Sequence, residues 1–222
     1  MQVNLEACIN CNLCVRACRE VQSNDVIGMA NRGYNSKVIF DFDDEMGDST
    51  CVGCGECVQA CPTGALMEKS LLDDNGIRET FPDKTVNSLC PYCGVGCQTK
   101  VFVKDNKIVQ VDGSDGPANN QKLCVKGRFG YDYIHNEGRL MKPLIRKEGV
   151  KKQKIENYKD LKISDYFREA SWDEAIELSA KNLNSIYSKN GPSSICGFGS
   201  AKGSNEEAYL FQKLIRTAFK TN

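Results

Sequence analysis

Residues 8–18 read CINCNLCVRAC and residues 51–61 read CVGCGECVQAC, so each stretch carries four cysteines in the pattern C-x2-C-x2-C-x3-C. Every cysteine of the first run precedes its counterpart in the second run by 43 residues. A constant offset over four positions indicates an internal repeat. We therefore expect two similar halves, each built around one cysteine run.

Short elements around the two runs fit the same repeat. Cys14–Val21 and Cys57–Ala60 are predicted to form short helices that follow the cysteine loops. Apolar stretches predict short strands at Val26–Met29, Val38–Phe42 and Ala65–Met67. Residues 1–70 are therefore predicted to form one compact α+β domain.

The two cysteine runs indicate iron–sulfur chemistry. A 4Fe–4S cluster is held by four thiolates, and in this pattern the fourth cysteine ligates the cluster of the other run. The first cluster site then consists of Cys8, Cys11, Cys14 and Cys61. The second cluster site consists of Cys18, Cys51, Cys54 and Cys57. Structural zinc favours paired Cys-x2-Cys hooks over three cysteines in one loop, so zinc is the weaker interpretation for these eight residues.

The composition excludes several classes of function. The 222 residues include 29 Lys+Arg, 29 Asp+Glu and a single histidine, His135, so there is no basic excess for nucleic acid and no His-rich metal site. The N-terminus lacks a secretory signal, and no apolar run is long enough to span a membrane. Arg146–Lys162 is locally basic, and a solvated insertion is the favoured interpretation. We expect a cytoplasmic protein, whose closely spaced cysteines serve metal or redox chemistry and not disulfides.

A third set of cysteines follows the repeat. The third cluster site consists of Cys90, Cys93, Cys97 and the distant Cys124. Spacing alone leaves two possibilities open, a 4Fe–4S cluster or a zinc ion. Cys97–Lys104 and Ile108–Val111 are predicted strands of a hairpin that turns at Asp105 and Asn106, and a short helix is predicted near Lys126–Tyr133. These elements predict a small β-rich domain.

The last part of the chain contains helix signals and a glycine-rich turn. Ser171 and Glu174 form the S-x-x-E capping box of a predicted amphipathic helix. Ser194–Phe198 is a predicted buried strand, in which Cys196 is expected to be a small buried apolar residue. A glycine-rich turn and the predicted helix Asn205–Phe219 follow, and together they would make a βα unit of an α/β domain.

Nearly the whole chain resembles known protein families. Residues 1–70 are similar to two-cluster bacterial ferredoxins, apart from Arg19, which stands where those proteins often carry proline. Residues 89–97 (LCPYCGVGC) and 123–127 (LCVKG) closely resemble the opening of molybdenum/tungsten bis-pterin oxidoreductases. Further similar stretches are 16–20 (RACRE), 141–146 (MKPLIR), 171–175 (SWDEA) and 199–209. Together they resemble the N-terminal part of the catalytic (alpha) subunit of cytoplasmic, NAD-linked formate dehydrogenases.

This resemblance implies a fold for each segment. An α+β ferredoxin-like two-cluster domain is expected at residues 1–70, and a linker at 71–84. A small β-rich 4Fe–4S domain is expected at 85–139. The start of an α/β molybdopterin oxidoreductase domain is expected at 140–222. The implied cofactors are three 4Fe–4S clusters and, in the full-length protein, a molybdenum or tungsten bis-pterin guanine dinucleotide.

The resemblance also implies roles for individual residues. The third cluster site would hold the cluster nearest the pterin. Lys126 would lie between that cluster and a pterin ring, as an electron relay and a cofactor-binding residue. Five further residues match a loop near the pterin in the family: Gly199, Ser200, Lys202, Ser204 and Asn205.

The implied reaction is the oxidation of formate to carbon dioxide, or its reverse. Electrons would pass through the three clusters to an NAD-reducing partner subunit that carries flavin and iron–sulfur centres. In the family the catalytic cysteine or selenocysteine lies beyond the position of Asn222, so this segment alone is expected to contain no catalytic residue and to be inactive. The alternative is a non-catalytic electron-transfer module, as in NADH–quinone oxidoreductase or an iron–iron hydrogenase.

Overall fold

The computed structural model describes residues 1–152 and 162–222. Most of the predicted basic insertion Arg146–Lys162 falls on residues 153–161 and so lies outside the described residues. None of the described helices is both long and apolar enough to cross a membrane.

The described residues divide into two compact units. The first unit contains Met1–His135 together with Ala201–Ser204. The second unit contains Asn136–Ser200 and Asn205–Asn222. All twelve cysteines of the three predicted cluster sites therefore belong to the first unit.

The repeat forms the first half of the first unit. Its elements are β1 (Gln2–Val3), α1 (Leu13–Arg16), β2 (Ile27–Ala30), β3 (Lys37–Phe40), α2 (Glu56–Ala60) and β4 (Leu66–Met67). Strands β2 and β3 pair as an antiparallel hairpin, and β1 pairs with β4. The pairing of β1 with β4 joins the two ends of the repeat, and the helices and strands of this region alternate along the chain.

The two halves of the repeat share their backbone conformation. Asn10 and Asn12 have φ angles of 53° and 66°, and their counterparts Gly53 and Gly55 have φ angles of 65° and 77°. The left-handed region favours glycine and admits asparagine, so both sequences meet the same turn requirement. The helix after each loop starts at the equivalent position. The 43-residue repeat is thus confirmed in three dimensions.

The ends of the two repeat helices differ because of one proline. Helix α1 continues through Cys18 as a π-helical turn, Ala17–Val21. Helix α2 ends at Ala60, and Cys61 is extended with φ −76° and ψ 116°. Pro62 explains the difference, since a proline pushes the preceding residue out of the helical region. Arg19, at the position of Pro62 in the repeat, allows the helix to continue.

The core of the repeat is small and contains its own candidate ligands. The buried cluster consists of Cys14, Val15, Cys18, Val26, Ile27, Val38, Phe40, Cys57 and Leu66. With so few apolar side chains, hydrophobic burial alone gives a short chain little stability. Metal ligation by the cysteines would add stability by linking loops that are distant in sequence.

A three-stranded antiparallel sheet forms the second half of the first unit. Its strands are β5 (Lys84–Leu89), β6 (Gln98–Lys104) and β7 (Lys107–Gly113), in the order β5-β6-β7. The predicted turn is confirmed, because Asp105 and Asn106 have φ angles of 49° and 60°. Helix α3 (Val125–Phe129) follows the sheet and overlaps the helix predicted near Lys126–Tyr133, but it begins one residue earlier and ends four residues earlier. Strand β5 was not predicted, and all six of its residues are exposed.

The second unit consists mainly of helices. Its elements are β8 (Leu144–Arg146), α4 (Ile163–Tyr166), β9 (Phe167–Glu169), α5 (Trp172–Asn190) and α6 (Asn205–Lys213). Strands β8 and β9 form an antiparallel pair. The predicted N-cap is confirmed at the start of α5, where the Ser171 side chain accepts a hydrogen bond of 3.1 Å from Glu174 N, whereas the Glu174 carboxylate binds Arg168. Helix α6 continues as a π-helical turn, Leu214–Ala218, in agreement with the predicted helix.

The prediction of a buried strand at Ser194–Phe198 was wrong. Pro192–Ser194 form a 3-10 turn, and residues 195–200 have no regular structure. Cys196 is exposed and not buried. A strand is defined by pairing with a neighbour, and no strand in the described part of this unit pairs with these residues.

Candidate metal centres

The first cluster site is assembled from both halves of the repeat. Four cysteines line one small cavity: Cys8, Cys11, Cys14 and Cys61. The remaining wall is largely apolar and includes Leu5, Val38 and Leu66. Three of the cysteines come from one loop and the fourth ends α2, which is the crossed arrangement expected from the spacing.

The second cluster site has the complementary composition. One cavity is lined by Cys18, Cys51, Cys54 and Cys57. Here the loop before α2 supplies Cys51 and Cys54, the first turn of α2 supplies Cys57, and the turn that continues α1 supplies Cys18. Each helix thus carries a cysteine of the other loop's site, so that two filled sites would hold the halves together.

Backbone N–H groups point at several of the thiols. Asn10 N donates to Cys8 Sγ at 3.4 Å, and the equivalent Gly53 N donates to Cys51 Sγ, also at 3.4 Å. Val26 N donates to Cys18 Sγ at 3.3 Å. Hydrogen bonds to sulfur favour the thiolate and tune the reduction potential of a bound cluster.

The thiols of the two sites are in strongly contrasting environments. Burial, together with the neighbouring cysteines Cys54, Cys51, Cys14 and Cys18, raises the pKa of Cys57 to about 12. Burial also raises the pKa of Cys61, but N–H donors from Leu66, Thr63 and Ala65, with the Thr63 hydroxyl, outweigh it and lower the pKa overall. Buried thiolates that repel one another need a positive charge among them, which the iron ions of a bound cluster would supply.

The third cluster site also brings four cysteines together. Burial raises the pKa of Cys97, with further contributions from Cys90, Cys93 and Cys124. Cys90 N donates to Cys97 O at 2.9 Å, which closes the loop between them. Cys90 is buried, whereas Cys93 and Cys124 are exposed.

Helix α3 approaches the third cluster site through a glycine. A side chain at Gly127 would place its Cβ 3.4 Å from Cys90 Sγ and 3.2 Å from Leu123 Cδ2. Cys124 is the residue that caps the start of this helix. Gly127 therefore allows the close approach that brings Cys124 to the other three cysteines, a role that the sequence analysis missed.

The predicted pterin-side residues are only partly brought together. Lys126 is exposed and lines a cavity of about 250 Å3 together with Cys90, on the first unit. Ala201 O accepts a hydrogen bond of 3.0 Å from Gly94 N, within the Cys93–Cys97 loop. The neighbouring Lys202 and Ser204 belong to the same unit, whereas Gly199, Ser200 and Asn205 are assigned to the second unit.

Four cysteine thiols line each of the first two cluster cavities. Among the described residues, no group of three or more His, Cys, Asp or Glu side chains is arranged to hold a single metal ion. Thiolates on one zinc ion, with Zn–S of about 2.3 Å, would lie about 3.8 Å apart. A 4Fe–4S cluster is held by four cysteine thiolates, and each of the first two cavities provides four, so the residues present fit clusters.

A buried arginine connects the second and third cluster sites. Arg128 of α3 is 0% exposed, and its Nε donates to Cys54 O at 2.8 Å. Its two terminal nitrogens donate to Glu56 Oε1 and Asp112 Oδ1, each at 2.7 Å. Glu56 Oε1 also accepts from Leu123 N at 2.9 Å. Arg128 has no role predicted from the sequence, because only the fold shows that it is buried.

Glycines on the second cysteine loop allow this contact. A Cβ at Gly53 would lie 3.5 Å from Val125 Cγ2, the residue after Cys124. A Cβ at Gly55 would lie only 2.2 Å from Arg128 Cδ. The residues that flank Cys54 therefore pack directly on the helix that follows Cys124.

Comparison with protein families identifies three successive domains. A 4Fe-4S dicluster domain matches residues 7–65, and a molybdopterin oxidoreductase Fe4S4 domain matches residues 83–136. A molybdopterin oxidoreductase domain matches residues 139–222. The order of domains expected from the resemblance is thereby confirmed, and the family uses iron–sulfur clusters and a molybdopterin cofactor.

Comparison with curated proteins gives relatives that include putative formate dehydrogenases. Two of them, each named "Putative formate dehydrogenase", come from Staphylococcus aureus strains MRSA252 and USA300. Each is 34% identical over 251 aligned positions, which cover 97% of this chain and 24% of the relative. The two molybdopterin oxidoreductase domains together cover more than half of the chain, which spans about a quarter of the length of these relatives, and the chain therefore belongs to the molybdopterin oxidoreductase family.

Proposed function

We propose that this chain is the electron-conducting part of a formate dehydrogenase catalytic subunit. In the full-length protein, formate would be oxidised to carbon dioxide, or the reverse, and electrons would pass through three 4Fe–4S clusters to a partner subunit. The observation that carries the proposal is the convergence of twelve cysteines into three four-thiol sites within one compact unit. The similarity to relatives named formate dehydrogenase supports the choice of substrate.

The ligands of the clusters follow from the three sites. The first and second cluster sites would each hold one cluster through the crossed cysteine sets, and Cys90, Cys93, Cys97 and Cys124 would hold the third. The protein's part is to bury these ligands, to direct N–H groups at their sulfurs and to fix their separation. Arg128 performs the last task, because it binds Cys54 O from the helix that carries Cys124 at its start.

The order of the clusters follows from the same contact. The second cluster site adjoins the third through Cys54 and Arg128, and it shares the two repeat helices with the first. The second cluster would therefore stand between the other two. The first cluster would be the exit towards an NAD-reducing partner subunit that carries flavin and iron–sulfur centres.

The pterin cofactor would be held by residues beside the third cluster site. We propose a molybdenum or tungsten bis-pterin guanine dinucleotide, contacted by Lys126 and by the loop Gly199–Asn205. The hydrogen bond from Gly94 N to Ala201 O supports this, because it joins part of that loop to the third cysteine loop. A lysine at this place would donate hydrogen bonds to the cofactor and hold electron density between the two centres.

Formate-driven reduction of the clusters tests the proposal directly. Anaerobic formate should bleach the iron–sulfur absorbance of the full-length protein that contains this segment. The isolated 222-residue chain should bleach with dithionite but not with formate, because it is proposed to carry no catalytic residue. A full-length protein whose clusters respond to dithionite alone would instead be a non-catalytic electron-transfer module.

A cysteine pair provides a sharper version of this test. In the full-length protein, Cys54→Ser should interrupt the path, so that formate reduces the third cluster and not the first. Cys196→Ser is the matched control, because Cys196 is exposed and lies outside all three sites. Electron paramagnetic resonance distinguishes the reduced clusters. Equal reduction of the first cluster in both variants would contradict the proposed order.

A further inference from the structure

A buried carboxyl group borders the same cavity as Cys61 and has no hydrogen-bond partner in the part of the chain that the structure describes. Glu68 directly follows β4 and is 3% exposed. Neither of its carboxylate oxygens has a hydrogen-bond partner among the described residues. An unpaired buried carboxylate is strongly unfavourable, so such a group either keeps a proton or binds something that the cavity admits.

The charged groups around Glu68 do not neutralise it. The titratable or charged groups that face it are Asp112, Arg128, Arg78, Tyr131 and the amino group of Met1. Arg128 already donates to Cys54 O, Glu56 and Asp112. Glu56 and Asp112 share this one guanidinium. The two carboxylates and Arg128 together therefore carry a net charge of −1 before Glu68 is ionised.

Arg78 is also engaged elsewhere. Its Nε donates to Thr80 O at 3.3 Å, and its Nη2 donates to Gln110 Oε1 at 3.4 Å. Burial, followed by the charge of Asp112, raises the pKa of Glu68 to about 7, against the opposing effects of Arg128, Arg78 and the N-terminus. The carboxyl group is therefore close to half protonated at neutral pH, where a small change in nearby charge changes its occupancy.

A cavity connects Glu68 with the first cluster site. It has a volume of about 230 Å3, and its wall includes Glu68, Cys61, Arg78 and Gln110. Water occupies about 30 Å3 per molecule, so the cavity has room for several waters between polar walls. The groups that donate to Cys61 Sγ come from Thr63, Ala65 and Leu66, so Glu68 is not among them. It shares a cavity with this ligand without bonding to it.

We propose that Glu68 is a redox-linked protonation site of the cluster held by Cys61. When an electron arrives at that cluster, the Glu68 carboxylate takes up one proton from solvent through the cavity and an O–H bond forms. When the electron leaves for the partner, the same O–H bond breaks and the proton returns to solvent. No other bond changes, and the electron comes from the proposed formate oxidation, on which this inference rests.

The sign of the effect follows from charge. An added electron makes the cluster more negative, which raises the pKa of a nearby carboxyl group. Below the pKa of the oxidised state Glu68 is protonated in both states, and the cluster potential is independent of pH. Above it, reduction is accompanied by proton uptake, and the potential falls as pH rises, by at most about 59 mV per pH unit. It levels off again above the pKa of the reduced state.

Potentiometric titration of the cluster-loaded chain between pH 5.5 and pH 9 tests this inference. In the wild type, one cluster should show a potential that falls through this range. Glu68→Gln should remove the slope and leave the potential near the low-pH value of the wild type. Glu79→Gln is the matched control, because Glu79 is an exposed carboxylate of the same segment, and it should keep the wild-type slope. A wild type without a slope, or a Glu68→Gln variant with the wild-type slope, would overturn the proposal.

Infrared difference spectra provide a second readout that needs no variant to fold. At pH 8, reduction of the wild-type clusters should produce the C=O band of a newly protonated carboxyl group. Absence of that band while the clusters reduce normally would overturn the role of Glu68 and leave the proposed function intact. A chain that assembles no clusters would overturn the proposed function itself, so the two failures are distinguishable.

Discussion

Arg128 is the residue on which the contact between two cluster sites depends. It is fully buried, and it satisfies two carboxylates and the carbonyl of a candidate ligand. Removing one partner of a buried ion pair leaves uncompensated charge in a poorly polarisable environment. Arg128 therefore fixes the spacing of the second and third sites through interactions that no surface residue can replace.

Arg128→Met is predicted to destabilise the chain by about 3–5 kcal/mol, because Glu56 and Asp112 would lose their common cation. The measurement is urea unfolding of the cluster-loaded chain. Arg16→Met is the matched control, because its ion pair with Glu20 is exposed and a surface pair contributes little. Equal stabilities for the two variants would contradict the assigned role of Arg128.

Glu68 gives a prediction about pH. Its pKa is raised from 4.5 to about 7, so the folded chain holds this proton at pH values where the unfolded chain has lost it. Its contribution to stability therefore falls as pH rises from about 4.5 to 7 and is constant above. Glu68→Gln should be more stable than the wild type by roughly 3 kcal/mol at pH 8, with little difference at pH 4.

The urea midpoints of the oxidised wild type and Glu68→Gln, measured from pH 4 to pH 8, check this prediction. The quantity of interest is the difference between the two proteins, because other groups titrate equally in both. A difference that does not change with pH would show that Glu68 is not protonated in the folded chain near neutrality.

Residue roles were predictable from sequence only where spacing carries the chemistry. The spacing of the twelve cysteines predicts their role, because cysteines at these intervals are typical iron–sulfur ligands. Arg128 and Glu68 are single charged residues in ordinary surroundings, and their importance comes from burial by segments distant in sequence. Gly127 belongs to the motif LCVKG, but the sequence does not show that α3 lies so close to the third cysteine loop that a Cβ at Gly127 would be 3.4 Å from Cys90 Sγ.

At the scale of elements, the cysteine loops depend on backbone conformations that favour glycine. Gly55 has φ 77°, and its position leaves no space for a Cβ because Arg128 Cδ would lie 2.2 Å away. Gly33 has a similar φ of 61°, but nothing lies within 4 Å of the position of its Cβ. An alanine at either position would be strained by the positive φ angle, but only an alanine at Gly55 would also collide with a neighbouring side chain.

Gly55→Ala is predicted to destabilise the chain by about 1–3 kcal/mol more than Gly33→Ala, because only the former must also displace Arg128. Thermal unfolding of both variants measures the difference. Gly55→Ala should also alter the paramagnetic signal of the second cluster, since Cys54 is the adjacent residue. Equal destabilisation and unchanged signals would contradict the packing described here.

Elements were predictable where local signals decide them. The hairpin β6–β7 and the start of α5 follow from a tight turn and a capping box, both of which act within a few residues. Strand β5 was missed because its sequence KTVNSL is polar and its residues are exposed, so pairing with β6 alone defines it. The strand predicted at Ser194–Phe198 fails for the opposite reason. Its sequence is apolar enough for a strand, but no strand in the described part of the second unit pairs with it.

At the scale of the whole molecule, the first unit has a small core that its candidate ligands help to form. Cys14, Cys18 and Cys57 belong to the buried cluster of the repeat. The crossed sites link loops that are 43 residues apart, so cluster assembly and folding are expected to be coupled. Iron chelation should therefore unfold the repeat, which circular dichroism before and after chelation would detect. Unchanged spectra after complete loss of iron would contradict that coupling.

The central claim is that the chain binds three four-iron clusters and no zinc. The most direct measurement is the content of iron, acid-labile sulfide and zinc in the anaerobically purified chain. The account predicts about twelve irons and about twelve sulfides per chain, without zinc, four of each for every cluster. About eight irons together with one zinc would show that the third cluster site is a zinc site, and would contradict the continuous electron path proposed for this protein.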